Sequence, residues 1–389
     1  QLLFSQSGVV DNSEKLMLVH ADILQGQKIG DEDVRQFIGN VQFRQGEATL
    51  YCDKATQYDA AGKFILTGKV AFIDTANSLF GDKITYYEST RISYVEGNVR
   101  LIDSSKTLTA DRLRYLDKED RAIADGRVVL RDEKENISLR GTHADYDQRK
   151  AYAKVTGDAV LTKIDSTDGD SLVIFGGLFE MYDDGDRFFV TDSVRLIRGE
   201  IEASCDSLEY LNANSQLKLA NHPSIRQGKQ YLTGKSVSLL LNESDVEAIH
   251  IVGNAIVAST VDSTLNLDVP YNLLTGQDMM VYVTKEKIDS VRIDERATSY
   301  YHVIEEGKEK GLNKVLGDAL FITFDQDTLK RVRVLSSPSA SVGEFHPPAH
   351  KTIIEAELKE KLAKLNITIM SPAVPNGSEL YLDTVSKTE

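Results

Sequence analysis

The sequence predicts an all-β protein: an elongated, solenoid-like stack of short bent strands, followed by one amphipathic helix near the carboxyl end. Three observations predict it. A Gly-x-apolar signature recurs about every 29 residues, a second landmark built on a small residue lies between its copies, and the residues around both alternate apolar and polar. Self-similarity at such a fixed period marks a repeat array, in which each unit buries its apolar face against its neighbours.

The first landmark reads Gly39-Asn40-Val41, Gly68-Lys69-Val70, Gly97-Asn98-Val99, Gly126-Arg127-Val128 and Gly157-Asp158-Ala159, at spacings of 29, 29, 29 and 31. Four residues after each Gly stands another apolar residue: Phe43, Phe72, Leu101, Leu130 and Leu161. Weaker copies fall at Asp192, Asn221 and Gly253. The second landmark centres on Ala21, Cys52, Gly81, Ala110, Gly141, Gly177, Cys205, Gly234, Gly276 and Gly317, with an apolar residue two positions earlier. Asp follows directly at Asp22, Asp53, Asp82, Asp111, Asp206 and Asp318. These make ten units. The last two spacings lengthen to about 42, so insertions fall after Val257 and after Ala297.

Within a unit, Leu108 to Tyr115 alternates with the strand period of two, and its phase slips between Ala110 and Leu113. A similar slip is expected around Gly97, between Ile92 and Tyr94 on one side and Val99 and Leu101 on the other. A slip at a small residue is what a corner or bulge does to a strand. Turn-forming residues separate the strands: Glu88-Ser89-Thr90-Arg91, Asp103-Ser104-Ser105-Lys106, Asp117-Lys118-Glu119-Asp120 and Asp132-Glu133-Lys134-Glu135. Each unit is therefore two strands folded into a V, apolar side chains inside. Twenty such strands at about 4.8 Å each stack into a rod of roughly 95 Å. The expected division is regular repeats over 1–258, an irregular continuation over 259–345, and a helix with its tail over 346–389.

The closing helix is expected over Thr352 to Lys364. Thr352-Ile353-Ile354-Glu355 has capping-box form, and Ile354, Leu358, Leu362 and Leu365 lie at helical spacing. Two placements fit the sequence equally: over the exposed last strand edge, or packed on its own tail or toward a further domain. Cys52 and Cys205 occupy the same corner five units apart, about 50 Å by strand spacing, far beyond disulfide reach. They read as small buried hydrophobes.

Composition narrows the function. Sixty acidic against 45 basic residues give a net charge of −15, which argues against nucleic acid and against docking on an anionic membrane face. The chain begins at Gln1 without a charged segment and apolar core, which fits a mature form or a trimmed one alike and decides nothing. The seven histidines are scattered, and His346 with His350, beside Pro347-Pro348, reads as a solvated turn. No nucleophile elbow or phosphate-cradling glycine loop appears. The recurring Asp residues read as corner residues, because a catalytic carboxylate is singular whereas these repeat. Asp165 to Asp170 and Asp183 to Asp186 resemble calcium-loop fragments without the distal Glu, and read as acidic turns. No enzyme activity, cofactor or metal is expected. Tyr86, Tyr115, Tyr146 and Tyr210 fall at one repeat position, as interior filling or as a lining.

Ala110-Asp111-Arg112-Leu113-Arg114-Tyr115 and Gly97-Asn98-Val99-Arg100-Leu101 resemble the repeats of the OstA-like family, which includes LptA and the amino-terminal domain of LptD. The resemblance extends over about residues 15 to 340. It implies a V-shaped β-jellyroll, or β-taco, placed in the periplasm within the bridge that carries lipopolysaccharide to the outer membrane; with that location the expectation is a signal peptide already removed. By position it implies a lipid-binding cleft lined by Ile84, Tyr86, Tyr94, Val99, Leu101, Leu113, Tyr115, Val128 and Leu130. It implies lipopolysaccharide as ligand, with LptC-like and LptD-like bridge proteins, or further copies of the chain, joined end to end by strand addition. Two other classes stay open on the residues alone: a structural or adhesive β-solenoid with a filled core, and a carbohydrate-active β-helix enzyme, which would need charged or aromatic residues gathered outside the stack; the sequence shows no such gathering.

Overall fold

A computed structural model describes residues 17–364 apart from residues 31, 75–76, 104–105, 135, 165–170, 184–185, 212–215, 243–244, 262–264, 266, 285–286, 326–327 and 337–340. The first calcium-like segment, two of the four residues of the second and Leu365 lie outside the described residues. The described chain forms one antiparallel sheet of 24 strands and a single α-helix, Thr352–Lys364. Four rungs are each split into two strands: Met17–His20 with Ile23–Ile29, Gln216–Ala220 with Ser224–Gln227, Gln230–Thr233 with Ser236–Asn242, and Thr328–Leu335 with Val342–His346. Counting each split pair as one, the 24 strands make twenty rungs, two for each of the ten units.

The rungs are bent. Phe37 and Phe43 lie on one strand, Glu32–Gln45, six residues apart, which an extended chain would separate by about 20 Å. Their ring centroids are 5.2 Å apart, edge to face. The strand therefore folds back on itself between them, at Gly39-Asn40, where both residues have positive φ.

The corner is a two-to-one bulge. Along Ile92–Asp103 and Lys106–Leu116, Glu96 pairs with Arg112 and Val99 with Ala110, so Gly97 and Asn98 stand opposite Asp111 alone. Gly97 and Asn98 turn the chain at φ +73° and +47°. Because they use two residues, the inward parity is kept on that strand: Ser93 and Val95 before the corner, Val99 and Leu101 after it. Only the opposite strand loses one residue, and the slip from Ala110 to Leu113 is there as the sequence predicts. The slip expected around Gly97 is absent. In the sixth unit the corner residue is Gly176 rather than Gly177, with Ala159 opposite it and Ile174 inward.

Asp82 and Asp111, each directly after a small residue, close the next corner. Asn98 donates from Nδ2 to Asp82 Oδ2 at 2.9 Å. Arg127 donates its backbone N–H and its guanidinium to Asp111, at 3.1, 3.0 and 2.8 Å. A Cβ placed on Gly97 or Gly126 would collide with the carboxylate of Asp82 or Asp111. That contact accounts for the recurrence of both residues.

Cys52 and Cys205 are free and buried at corner positions, paired across the sheet with Val41 and Val194. Burial pushes the Cys52 thiol up to about 12, with the Asp53 charge adding to the shift, and burial pushes Cys205 up to about 11.

The helix does not cover the last strand edge. It lies on the outer face of the sheet, where Ile354, Leu358 and Leu362 pack with Ile256, Leu273, Tyr300 and Leu312 in a second apolar cluster. Val269 and Tyr271, from the first insertion, complete it. Polar contacts fix the same surface. Tyr300 donates to Glu357 at 2.6 Å, and Lys314 contacts that carboxylate at 2.8 Å. Lys351 stands between Glu309 and Glu355 at 2.6 and 2.7 Å. Both insertions thus serve to build a seat for the helix. Sequence periodicity identifies the helix's apolar stripe but says nothing of which sheet face receives it.

Candidate functional site

The inner surface of the V is a set of parallel rows running along the stack. On one arm, residues in register run from Phe43 and Leu50 through Leu101, Leu108 and Leu130 to Leu161 and Ile174. On the other arm, nearest the corner, the row passes through Phe37, Leu66, Ile84, Val95, Leu113 and Val155. These belong to one continuous apolar cluster extending from Phe37 to Ile322. An array of bent strands whose inward positions are all apolar follows from the two-residue period combined with the corner bulge.

One step further from the corner, toward the lip of this arm, a third row alternates large and small. Tyr86 pairs with Ser93, Ser93 with Tyr115, Tyr115 with Ala122, Ala122 with Tyr146 and Tyr146 with Ala153. Small residues between the rings leave each tyrosine room on the inner face. The row continues through Met181, Phe188 and Tyr210, where Phe188 and Tyr210 stack at 4.9 Å. Burial raises the pKa of the Tyr86 and Tyr115 hydroxyls.

Val99, Val128 and Leu113 near the corner are closed off. In the outer rows buried and half-buried residues alternate: Tyr86, Tyr146, Phe188 and Tyr210 are half-buried and Tyr115 is buried on one arm, and Phe72, Leu108 and Leu130 are half-buried and Phe43, Leu79, Leu101 and Leu139 are buried on the other. The V is zipped along its hinge and edged by an aromatic row on one arm and a leucine-rich row on the other.

Eight of the nine residues expected to line the interior point inward: Ile84, Tyr86, Val99, Leu101, Leu113, Tyr115, Val128 and Leu130. Tyr94 does not. It is 39% exposed on the outer face, against Tyr87 at 6.1 Å, while its neighbour Val95 is 1% exposed and inward. Because parity is conserved through Gly97 and Asn98, the inward residue two before Val95 is Ser93, a polar residue that hydropathy passes over. Counting in twos backward from Val99 would have found it.

The array has two open ends. Met17–His20 and Ile23–Ile29 pair only with Glu32–Gln45, and among the described residues nothing pairs with their other side. Met17, Leu18, Val19, Ile23 and Leu24 are exposed there. Among the described residues the last rung, Thr328–Leu335 and Val342–His346, pairs only with Lys308–Asp325 and exposes Val334, Leu335 and Phe345.

Among the described residues no group of three or more His, Cys, Asp or Glu could hold a metal ion, and no helix is long and apolar enough to cross a membrane.

The fold and its inner face define a class: a V-shaped antiparallel β-jellyroll with a continuous apolar interior. Residues 13–155 match the family model described as OstA-like protein. The crystal structure of LptH from Pseudomonas aeruginosa, titled as the LptA homologous periplasmic component of the conserved lipopolysaccharide transport device, is also similar. It is 19% identical over 38% of this chain and 95% of that one, with a TM-score of 0.29. No curated protein matches. Beyond residue 155 the strands of this chain continue the same antiparallel pairing to His346.

Proposed function

We propose that this chain is a non-catalytic lipopolysaccharide carrier of the periplasm, a segment of the bridge that moves the lipid to the outer membrane. The observation that carries the reading is the continuous apolar interior, whose two outer rows expose half-buried residues such as Tyr86, Tyr146, Leu108 and Leu130 between buried ones such as Tyr115, Leu101 and Leu139. Acyl chains lie along the lips, and each methylene removed from water contributes about 0.8 kcal/mol. With a net charge of −15, affinity rests on acyl burial rather than on gripping lipid phosphates. The unpaired end rungs, with exposed apolar side chains, suit strand addition to LptC-like and LptD-like partners or to a second copy. The regular repeats over 1–258 carry the groove, 259–345 extend the stack, and 346–389 contribute the helix with its tail.

The experiment is displacement of a fluorescent fatty-acid probe from the purified chain. Intact lipopolysaccharide displaces it and the deacylated glycan does not; equal displacement by both, or by neither, contradicts the reading. One observation favours a second reading, a structural solenoid with a filled core: the inner rows nearest the corner are closed off from solvent. Such a scaffold would not take up the probe.

A further inference from the structure

The outer face of the arm that carries the tyrosine row bears a pattern the inner groove does not use. Across four neighbouring strands, Lys63–Ile73, Asn77–Tyr87, Ile92–Asp103 and Lys106–Leu116, the outward residues Lys63, Tyr87, Tyr94 and Arg114 form a diagonal line: cation, ring, ring, cation. The Lys63 ammonium lies 5.8 Å from the Tyr87 ring centre and 5.3 Å from that of Tyr58. Tyr87 and Tyr94 meet edge to face at 6.1 Å, and Tyr94 is the register partner of Arg114. Three strand spacings make the line about 14 Å long. It lies in one groove of about 500 Å³ that also includes Ile65 and Ile123.

The charges around the line are unevenly satisfied. The bordering row crosses five strands as Lys83, Glu96, Arg112, Asp125 and His143, the first four alternating in sign. Lys83 pairs with Glu96 at 2.7 Å, His143 with Asp125 at 2.8 Å, and Arg112 stands between the two carboxylates in register. Arg114 has Tyr94 and Ile123 as its register partners. Among the described residues neither Arg114 nor Lys63 forms an ion pair. The two ends of an aromatic line are therefore unneutralised cations, in a chain of net charge −15.

The sheet constrains what fits. The backbone here is paired on both sides, so no strand can be added, and recognition must come from side chains. The overall acidity is wrong for nucleic acid. Tyrosine offers an apolar face with a polar tip, suited to a sugar ring, and Arg and Lys hold phosphate or carboxylate oxygens, Arg through two parallel bonds. We propose that the Lys63–Tyr87–Tyr94–Arg114 line binds a short oligosaccharide bearing phosphate or carboxylate groups. The site faces away from the inner groove and does not depend on acyl binding there. The anionic sugar comes either as a soluble glycan or as the sugar portion of a glycolipid.

The test titrates the full chain with mannopentaose phosphate, with unphosphorylated mannopentaose, with inorganic phosphate and with lipopolysaccharide, in the parent protein and in Tyr94→Ala and Arg114→Gln. Circular dichroism confirms that both variants fold. The expected result is saturable binding of the phosphorylated sugar, at least tenfold weaker in either variant and at least tenfold weaker without the phosphate. If only lipopolysaccharide shows the Arg114 dependence, the source is a glycolipid; if the free sugar shows it, a soluble glycan suffices. The proposal is overturned if no anionic sugar binds with that dependence, or if inorganic phosphate competes equally, which means an adventitious ion only. Displacement of the fatty-acid probe is unchanged in both variants, so failure here is separable from failure of the lipid-carrier reading.

Discussion

Replacing Gly97 with alanine probes the corner on which the bent strand depends. The residue sits at φ +73°, and an alanine there costs about 1–2 kcal/mol for the left-handed conformation. Its Cβ also meets the Asp82 carboxylate, which must swing away and release Asn98, at a net loss of about 1 kcal/mol for that hydrogen bond. Gly97→Ala is therefore expected to destabilise by about 2–3 kcal/mol, and Asp82→Ala alone by about 1 kcal/mol. In the double variant the carboxylate collision is gone, a tight Cβ–Cβ contact at 3.1 Å is left, and the hydrogen bond is counted once, so the total remains about 2–3 kcal/mol, a coupling of about 1 kcal/mol. The assay is urea unfolding followed by circular dichroism, paired with amide exchange over Ile92–Asp103, since a repeat array can open locally. Strict additivity of the two substitutions would refute the corner clamp.

Three further outcomes are expected. Cys52 and Cys205, with thiols raised by burial, react with a soluble disulfide reagent at pH 8 only after denaturant is added; rapid labelling of the native chain would contradict their corner placement. The Asp145 carboxyl is held below its usual range chiefly by hydrogen bonding to the Arg121 guanidinium. The pair's stabilisation is present above the unfolded value of about 3.9 and lost as pH falls through the lower folded value. The stability gap between the parent and Arg121→Gln should thus be constant at neutral pH and close in acid, and a gap that widens in acid would be wrong. Leu358→Ala, at a fully buried position of the helix seat, should cost about 2–5 kcal/mol, whereas Ile353→Ala, on the exposed side, should change stability by less than about 0.5 kcal/mol, both read by thermal unfolding.

Much of this architecture is legible in the residue order because its physics is local. The period of two, the Gly-x-apolar corner and the small residue opposite it are each set by a few neighbouring positions, and they give the bent strand, the unit count and eight inward residues. Tyr94 shows where that reading stops. Hydropathy favours an inward tyrosine, but parity through a corner that uses two residues favours Ser93, and the backbone count wins. The seat of the helix and the Lys63–Arg114 line depend on residues brought together from different units. Their adjacency is a matter of register between strands, which no single stretch of sequence carries.

The central claim is that the half-open lips of the bent strands hold acyl chains. Photo-crosslinking groups placed singly at Tyr86, Leu130 and the outward Arg100 test it most directly, with lipopolysaccharide labelled in its acyl chains. Adducts are expected at Tyr86 and Leu130 and not at Arg100; equal labelling at all three, or none at the lips, would contradict it.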